Sequence, residues 1–304
     1  MWELLAARTV TWASVQYISK LNLAKQASLI PLRQLVSFSA ALLIAFFTSF
    51  WLFGGLPTHF PLLVMVLGMV NGLASYMSFR ATTISQSAMV FSYLIDDIVA
   101  ITLSMIFLRE YQMVGWPTLA GALICILATI LFAYNNKQKH QDKANAPTKI
   151  STLFYLLSFG ALGIWGAVHF MMRHVGFEQG VTWEEFVLPW YGGTFITALI
   201  IFLLVARKQR LNREEIQEVF AMRNIFWTLL IAVPTFLNIV FTFWTFASTP
   251  MVIAKPIFSL FQVITVILLG AFVFGERRQQ NFNMTDWCAF GLSAIGVITL
   301  TLDT

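Results

Sequence analysis

Apolar residues run along this chain in long blocks, separated by short polar or Gly/Pro breaks. A helix rises about 1.5 Å per residue, so a block of roughly 20 such residues crosses about 30 Å of hydrocarbon. The blocks cover residues 4–23, 29–53, 61–79, 85–108 and 113–134, then 153–172, 186–206, 225–246, 251–274 and 284–302. The pattern predicts an all-α integral membrane protein with about ten transmembrane helices. The first block is the most polar, with Arg8, Thr9, Thr11, Ser14, Gln16 and Lys20. It is therefore either buried within the bundle or not a span. Gly54-Gly55-Leu56-Pro57 and Ser248-Thr249-Pro250 are natural helix breaks. Residues 211–223 read as a surface helix with Ile216, Val219 and Phe220 on one face.

The polar stretch 135–149 (NNKQKHQDKANAPTK) divides the chain into a first half, 1–134, a linker, 135–150, and a second half, 151–304. The halves resemble each other. In the register that aligns Trp12 with Trp165, Gln16 meets His169 and Lys20 meets Arg173. Further on, a constant shift of 166 residues (276 − 110 = 166) pairs Ala88 with Ala254, Asp96 with Gln262 and Glu110 with Glu276. Five helices per half is an odd number, so the second half is expected to lie upside down relative to the first. Two inverted five-helix repeats are a signature of secondary transporters, with the site near the midplane.

Composition narrows the class further. The chain is 58% hydrophobic and only 11% charged, with a mean hydropathy of +0.76. Soluble domains carry about 25% charged residues, so too little polar surface is present here to face water. The 29 Phe and 10 Trp suit helix bundles and lipid interfaces. Cys125 and Cys288 lie in apolar runs, which argues against a disulfide framework or a thiolate metal site. The net charge of +5 comes from short basic loops and does not call for nucleic acid. Counted loop by loop, that bias puts both termini on the non-cytoplasmic side. Met1-Trp2-Glu3 lacks the basic start of a cleavable signal. No HExxH, GxSxG or phosphate-cradling Gly-Lys-Ser/Thr motif is present, so neither an enzyme nor a nucleotide-driven pump is expected, and no cofactor or metal.

The candidate site residues are the polar ones inside apolar blocks. Asp96 and Asp97 sit mid-block, where a charge costs roughly 2.5–3.5 kcal/mol on insertion scales. Successive helical residues diverge by about 100°, so both are not expected to face one cavity. Asp96 shares a face with Ser92 and Tyr93 and has the polar Gln262 as repeat partner, which favours it as the cavity residue and leaves Asp97 as a structural partner of another helix. The plainer alternative is that both only tie helices together. Lys255, just before Pro256, can contact substrate, neutralise an aspartate or snorkel to the interface. His169 and Gln16 are deep, equivalent positions. His169 is a proton-relay candidate or a hydrogen-bonded core histidine. Asn71 and Asn238 either line the cavity or join helices. Trp12 and Trp165 form gates or cavity walls, or else anchor at the interface. Gly68, Gly72, Gly160, Gly163 and Gly166 let backbones approach.

The chain resembles the ten-helix, EamA-type branch of the drug/metabolite transporter superfamily. The likeness rests on Trp12-Ala13-Ser14 and Trp165-Gly166-Ala167, on Leu108-Arg109-Glu110 and Phe274-Gly275-Glu276, and on the glycines Gly121, Gly291 and Gly296. It implies a carrier of small organic metabolites, proton-coupled or facilitative, with both termini cytoplasmic. That orientation conflicts with the charge count. The chain also departs from the family's pattern, because Asp97, preceded by Asp96, stands about where relatives have proline. The expected function is a secondary transporter of a small polar or amphipathic metabolite, such as an amino acid, in a multi-pass cell (inner) membrane location. Its partners would be that substrate, the bilayer and, as a candidate coupling ion, the proton. A non-transporting receptor or scaffold and a channel are the alternatives.

Overall fold

A computed structural model of the chain describes residues 2–22, 29–52, 54–57, 59–84, 86–143, 152–208, 217, 220–268 and 284–300. Every regular element among them is helical. In order they are α1 (Trp2–Asn22), α2 (Ile30–Leu52), α3 (Leu62–Ile84), α4 (Gln86–Phe107) and α5 (Trp116–Lys143), then α6 (Thr152–Arg173), α7 (Trp183–Lys208), α8 (Met222–Ser248), α9 (Met251–Leu268) and α10 (Met284–Leu300). A 3₁₀ turn, Glu110–Gln112, follows α4, and a π-helical turn, His174–Glu178, extends α6. Among the described residues, five helices are long and apolar enough to cross a membrane: Ile30–Leu52, Leu62–Ala81, Thr152–Glu178, Trp183–Arg207 and Asn224–Ser248. Their outer faces agree. Phe47, Phe50 and Trp51 on α2, and Leu203 and Leu204 on α7, are more than half exposed. Such apolar surface is costly in water and ordinary against lipid.

Helix ends follow local chemistry. Gly54, at φ +74°, lies just past α2, Pro61 precedes α3, and Pro117 sits in the first turn of α5, where its missing N–H has no intrahelical role. The expected linker differs from the structure at its start. α5 continues to Lys143, because residues 135–143 are mainly good helix formers with no glycine or proline among them. Residues 144–150 lie outside the described residues, as do most of the expected surface helix at 211–223 and the Phe274-Gly275-Glu276 motif.

The chain forms two compact units, and each takes segments from both sequence halves. Unit 1 is Met1–Thr83 with Met171–Ser248, and unit 2 is Ile84–Phe170 with Thr249–Thr304. In unit 1, α1 packs on α8, and α2 packs on α7 and α8. Helices α3 and α7 approach backbone to backbone, since a Cβ on Gly68 would strike the Trp190 carbonyl and one on Gly193 would strike that of Met65. Gln34 donates to the Gly72 carbonyl and Thr197 to that of Met69, both at 2.9 Å, which ties these helices together. Stacked Phe186 and Phe243 rings, 4.0 Å between centroids, fill the seam between α7 and α8. Arg173 donates to the Phe246 and Ala247 carbonyls at 2.9 and 2.7 Å, which caps the C-terminal end of α8 with a cation. In unit 2, α5 packs on α10, while α9 packs on α4 and α5.

Candidate functional site

The site lies within unit 2, on α4, α6 and α9. Its geometry begins with a glycine. A Cβ on Gly166 of α6 would come within 2.6 Å of Val99 Cβ and 2.7 Å of the Asp96 carbonyl oxygen, so α6 packs closely on α4 here. His169, one turn further along α6, then reaches across, and its Nδ1 lies 2.8 Å from Asp96 Oδ1. From α9, Lys255 Nζ lies 2.7 Å from the same Asp96 oxygen and 3.3 Å from Asp97 Oδ1. It also lies 3.0 Å from His169 Nδ1. Ser259, one turn beyond Lys255, donates its hydroxyl to Asp97 Oδ2.

Two carboxylates, an ammonium, an imidazole and a hydroxyl thus form one network. Lys255 is 1% exposed, Asp97 4% and Asp96 7%. At that depth an unpaired charge would be prohibitive, and mutual pairing is what allows the charges to remain. Each oxygen of Asp97 has a donor, Lys255 on one side and Ser259 on the other, so this carboxylate is held as an acceptor at both positions. The Lys255 ammonium lies between the two acids.

A second feature fixes α9. Glu110, fully buried, accepts from the Met251 N–H at 2.7 Å and the Val252 N–H at 3.4 Å. Its carboxylate therefore caps the N-terminus of the helix that carries Lys255 one turn later.

The structure brings together four of the sequence-derived candidates: Asp96, Asp97, Lys255 and His169. Both adjacent acids reach a single partner, Lys255, and Asp97 is tied to α9 through Lys255 and Ser259. The Lys255 stem is long enough to lay its ammonium between two side chains that leave α4 in different directions. The same ammonium is buried rather than extended along α9 to an interface. Gln262 lies seven residues beyond Lys255 on α9 and is half-buried, and Trp165 lies one turn before His169 and is also half-buried. Trp12, Asn71 and Asn238 belong to unit 1. Trp12 is buried there, and the Asn238 Oδ1 is buried with no hydrogen-bond partner among the described residues. The side chains of Gln16 and Tyr93 lie outside the described residues. Ser259 is the member that sequence reasoning missed. Its one signal is the i+4 spacing from Lys255, which puts it on the same helix face.

No family model matches the chain, and no curated protein matches it. A solved crystal structure, described only as that of a protein, is similar over 98% of this chain and 96% of its own, with a TM-score of 0.69 at 14% identity. The likeness shows a shared fold and says nothing of activity.

Proposed function

We propose that this protein is a multi-pass carrier of the EamA type in the cell membrane, moving a small polar or amphipathic metabolite such as an amino acid by alternating access between inverted halves. The observation that carries this reading is the buried network of Asp96, Asp97, Lys255 and His169 on three helices of an apolar bundle. Ionisable groups at such depth are expensive to keep, and in membrane proteins they mark ion and substrate pathways. A scaffold has no use for two acids that need a lysine to be tolerated, since replacing them with apolar residues would cost it nothing.

Within this reading Asp96 is the coupling or substrate-binding carboxylate, and Lys255, 2.7 Å away, favours its ionised form until it is displaced. As the coupling group, Asp96 takes up a proton from one side and gives it up when the substrate arrives, and the exchange ties flux to a proton gradient. Asp97, held at both oxygens, keeps Lys255 in place. The experiment is thermal-shift screening of the purified protein against a metabolite library, followed by proteoliposome flux with each hit. A carrier gives saturable uptake that accumulates against a gradient when the pH differs across the membrane. Single-channel currents in planar bilayers, or the absence of any flux with stabilising ligands, would overturn the proposal.

A further inference from the structure

Lys255 reaches two acids, and it does not sit equally between them. Its Nζ lies 2.7 Å from Asp96 Oδ1 and 3.3 Å from Asp97 Oδ1, so Asp96 has the closer contact. Both acids leave α4 at successive positions and both are buried, at 7% and 4% exposed, so depth does not explain the preference. Their other partners differ. His169 Nδ1 lies 2.8 Å from Asp96 Oδ1, the oxygen that Lys255 also meets. At Asp97 the two partners are divided, with Lys255 at Oδ1 and the Ser259 hydroxyl donating to Oδ2.

The hydroxyl at Oδ2 acts on the ammonium in two ways. It draws part of the carboxylate's negative charge to its own side, which weakens the pull of Oδ1 on a cation. It also fixes the rotation of the carboxylate, so Oδ2 cannot turn toward Lys255. The bond is a departure from what hydroxyls in apolar helices commonly do, which is to return to a carbonyl of their own backbone one turn back. Ser158 does so to Phe154 at 2.8 Å and Thr245 to Phe241 at 2.7 Å. Ser259, at 5% exposed, gives its hydroxyl to another helix instead. An ionised carboxylate is the stronger acceptor, and the i+4 spacing places Ser259 on the same face of α9 as Lys255.

We propose that Ser259 is the positioning residue that seats Lys255 on Asp96, by occupying the Asp97 oxygen that would otherwise compete for the ammonium. Without the hydroxyl, Oδ2 becomes a buried acceptor with no donor, and the donor already beside this carboxylate is Lys255. Asp96 keeps its contact with His169, so the balance tips and the ammonium moves to Asp97. The use of this device rests on the carrier reading, in which Ser259 keeps Asp96 covered by Lys255 until a ligand displaces it. The seat of the ammonium is measured without substrate, so its failure and the failure of that reading are separate results.

The test is solid-state NMR of the full-length protein in liposomes, with ¹⁵Nζ-labelled lysine, ¹³Cγ-labelled aspartate and no substrate. Dipolar coupling between the labels falls steeply with distance, so it reports which carboxylate carries the ammonium. Asp96→Asn and Asp97→Asn assign the two carboxylate signals, and Lys255→Arg identifies the nitrogen. In wild type the coupling of Lys255 to Asp96 should exceed that to Asp97. The order should reverse in Ser259→Ala and stay as in wild type in Ser259→Thr, which keeps the hydroxyl. Ser259→Cys is close to serine in size and only a weak donor, so it should narrow the difference even if the Ala variant folds poorly. Equal couplings in wild type, an unchanged difference in Ser259→Ala or Ser259→Cys, or the same reversal in Ser259→Ala and Ser259→Thr would each overturn the assignment.

Discussion

Glu110 accepts a hydrogen bond from the backbone N–H of Met251 at 2.7 Å, so α9 is capped by a side chain 141 residues earlier in the chain. The cap matters more because Pro256 has no N–H, which leaves the Val252 carbonyl without its donor four residues on. Replacing Glu110 by Ala removes the cap and strands two buried amide groups. We expect a loss of about 2–4 kcal/mol, combining a lost cap with unsatisfied buried donors. Glu110→Gln keeps an acceptor and should cost about 1 kcal/mol. Thermal unfolding of the purified variants checks this, and an Ala variant as stable as the Gln variant would remove the cap from the account.

Lys255 holds two acids together, and its loss should be felt as repulsion. Lys255→Met leaves two buried carboxylates with no cation between them, which we expect to cost about 3–5 kcal/mol. Adding Asp97→Asn to Lys255→Met removes one of those charges and should recover part of the loss. A double variant no more stable than Lys255→Met alone would mean that charge is not the source of the cost.

Much of this arrangement was readable from residue type and depth, and the rest was not, for identifiable reasons. Asp96, Asp97, Lys255 and His169 stand out as polar residues in apolar blocks because few sequences tolerate such a cost without a use for it. Which helices face each other is a property of tertiary packing, and no spacing within one helix reveals that α6 reaches α4 at Gly166. Ser259 is hidden for a related reason, since serines in apolar helices commonly bond their own backbone and carry little signal. Angular separation between adjacent helical residues describes where side chains start, and it does not reveal that Lys255 brings a long, flexible partner to both. The start of α5 as a span is legible in its apolar block, while its run to Lys143 is not, because lysine and glutamine suit a solvated helix as well as a loop.

The contact at Gly166 can be tested on one helix with one substitution. A Cβ at Gly166 would lie 2.6 Å from Val99 Cβ and 2.7 Å from the Asp96 carbonyl oxygen, whereas a Cβ at Gly163 meets nothing within 4 Å. Gly166→Ala should therefore destabilise by about 1–3 kcal/mol through forced separation of α6 and α4. Gly163→Ala should be neutral, or stabilising by up to about 1 kcal/mol, because alanine favours helix over glycine. Equal effects at the two positions, read by thermal unfolding, would contradict a close α6–α4 crossing.

Asp96 and Asp97 are neighbours on α4 with different surroundings, and their amide variants should fail in different ways. Asp96 shares one oxygen with both Lys255 and His169. Asp97 is engaged at both oxygens by Lys255 and by Ser259. An amide resembles a protonated acid in size and hydrogen bonding, so Asp96→Asn imitates the loaded state permanently. It should fold nearly as well as wild type, and its uptake under a pH gradient should fall from accumulation to simple equilibration. Asp97→Asn presents an N–H toward Lys255 or toward the Ser259 hydroxyl and loses the charge that balances the ammonium. We expect it to lower stability by about 1–3 kcal/mol while part of the gradient-driven uptake remains. Proteoliposome accumulation ratios and unfolding midpoints, measured on both variants, separate the two roles. If Asp96→Asn still concentrates substrate as well as wild type, the coupling proton is carried elsewhere, and Asp97 and His169 become the groups to examine.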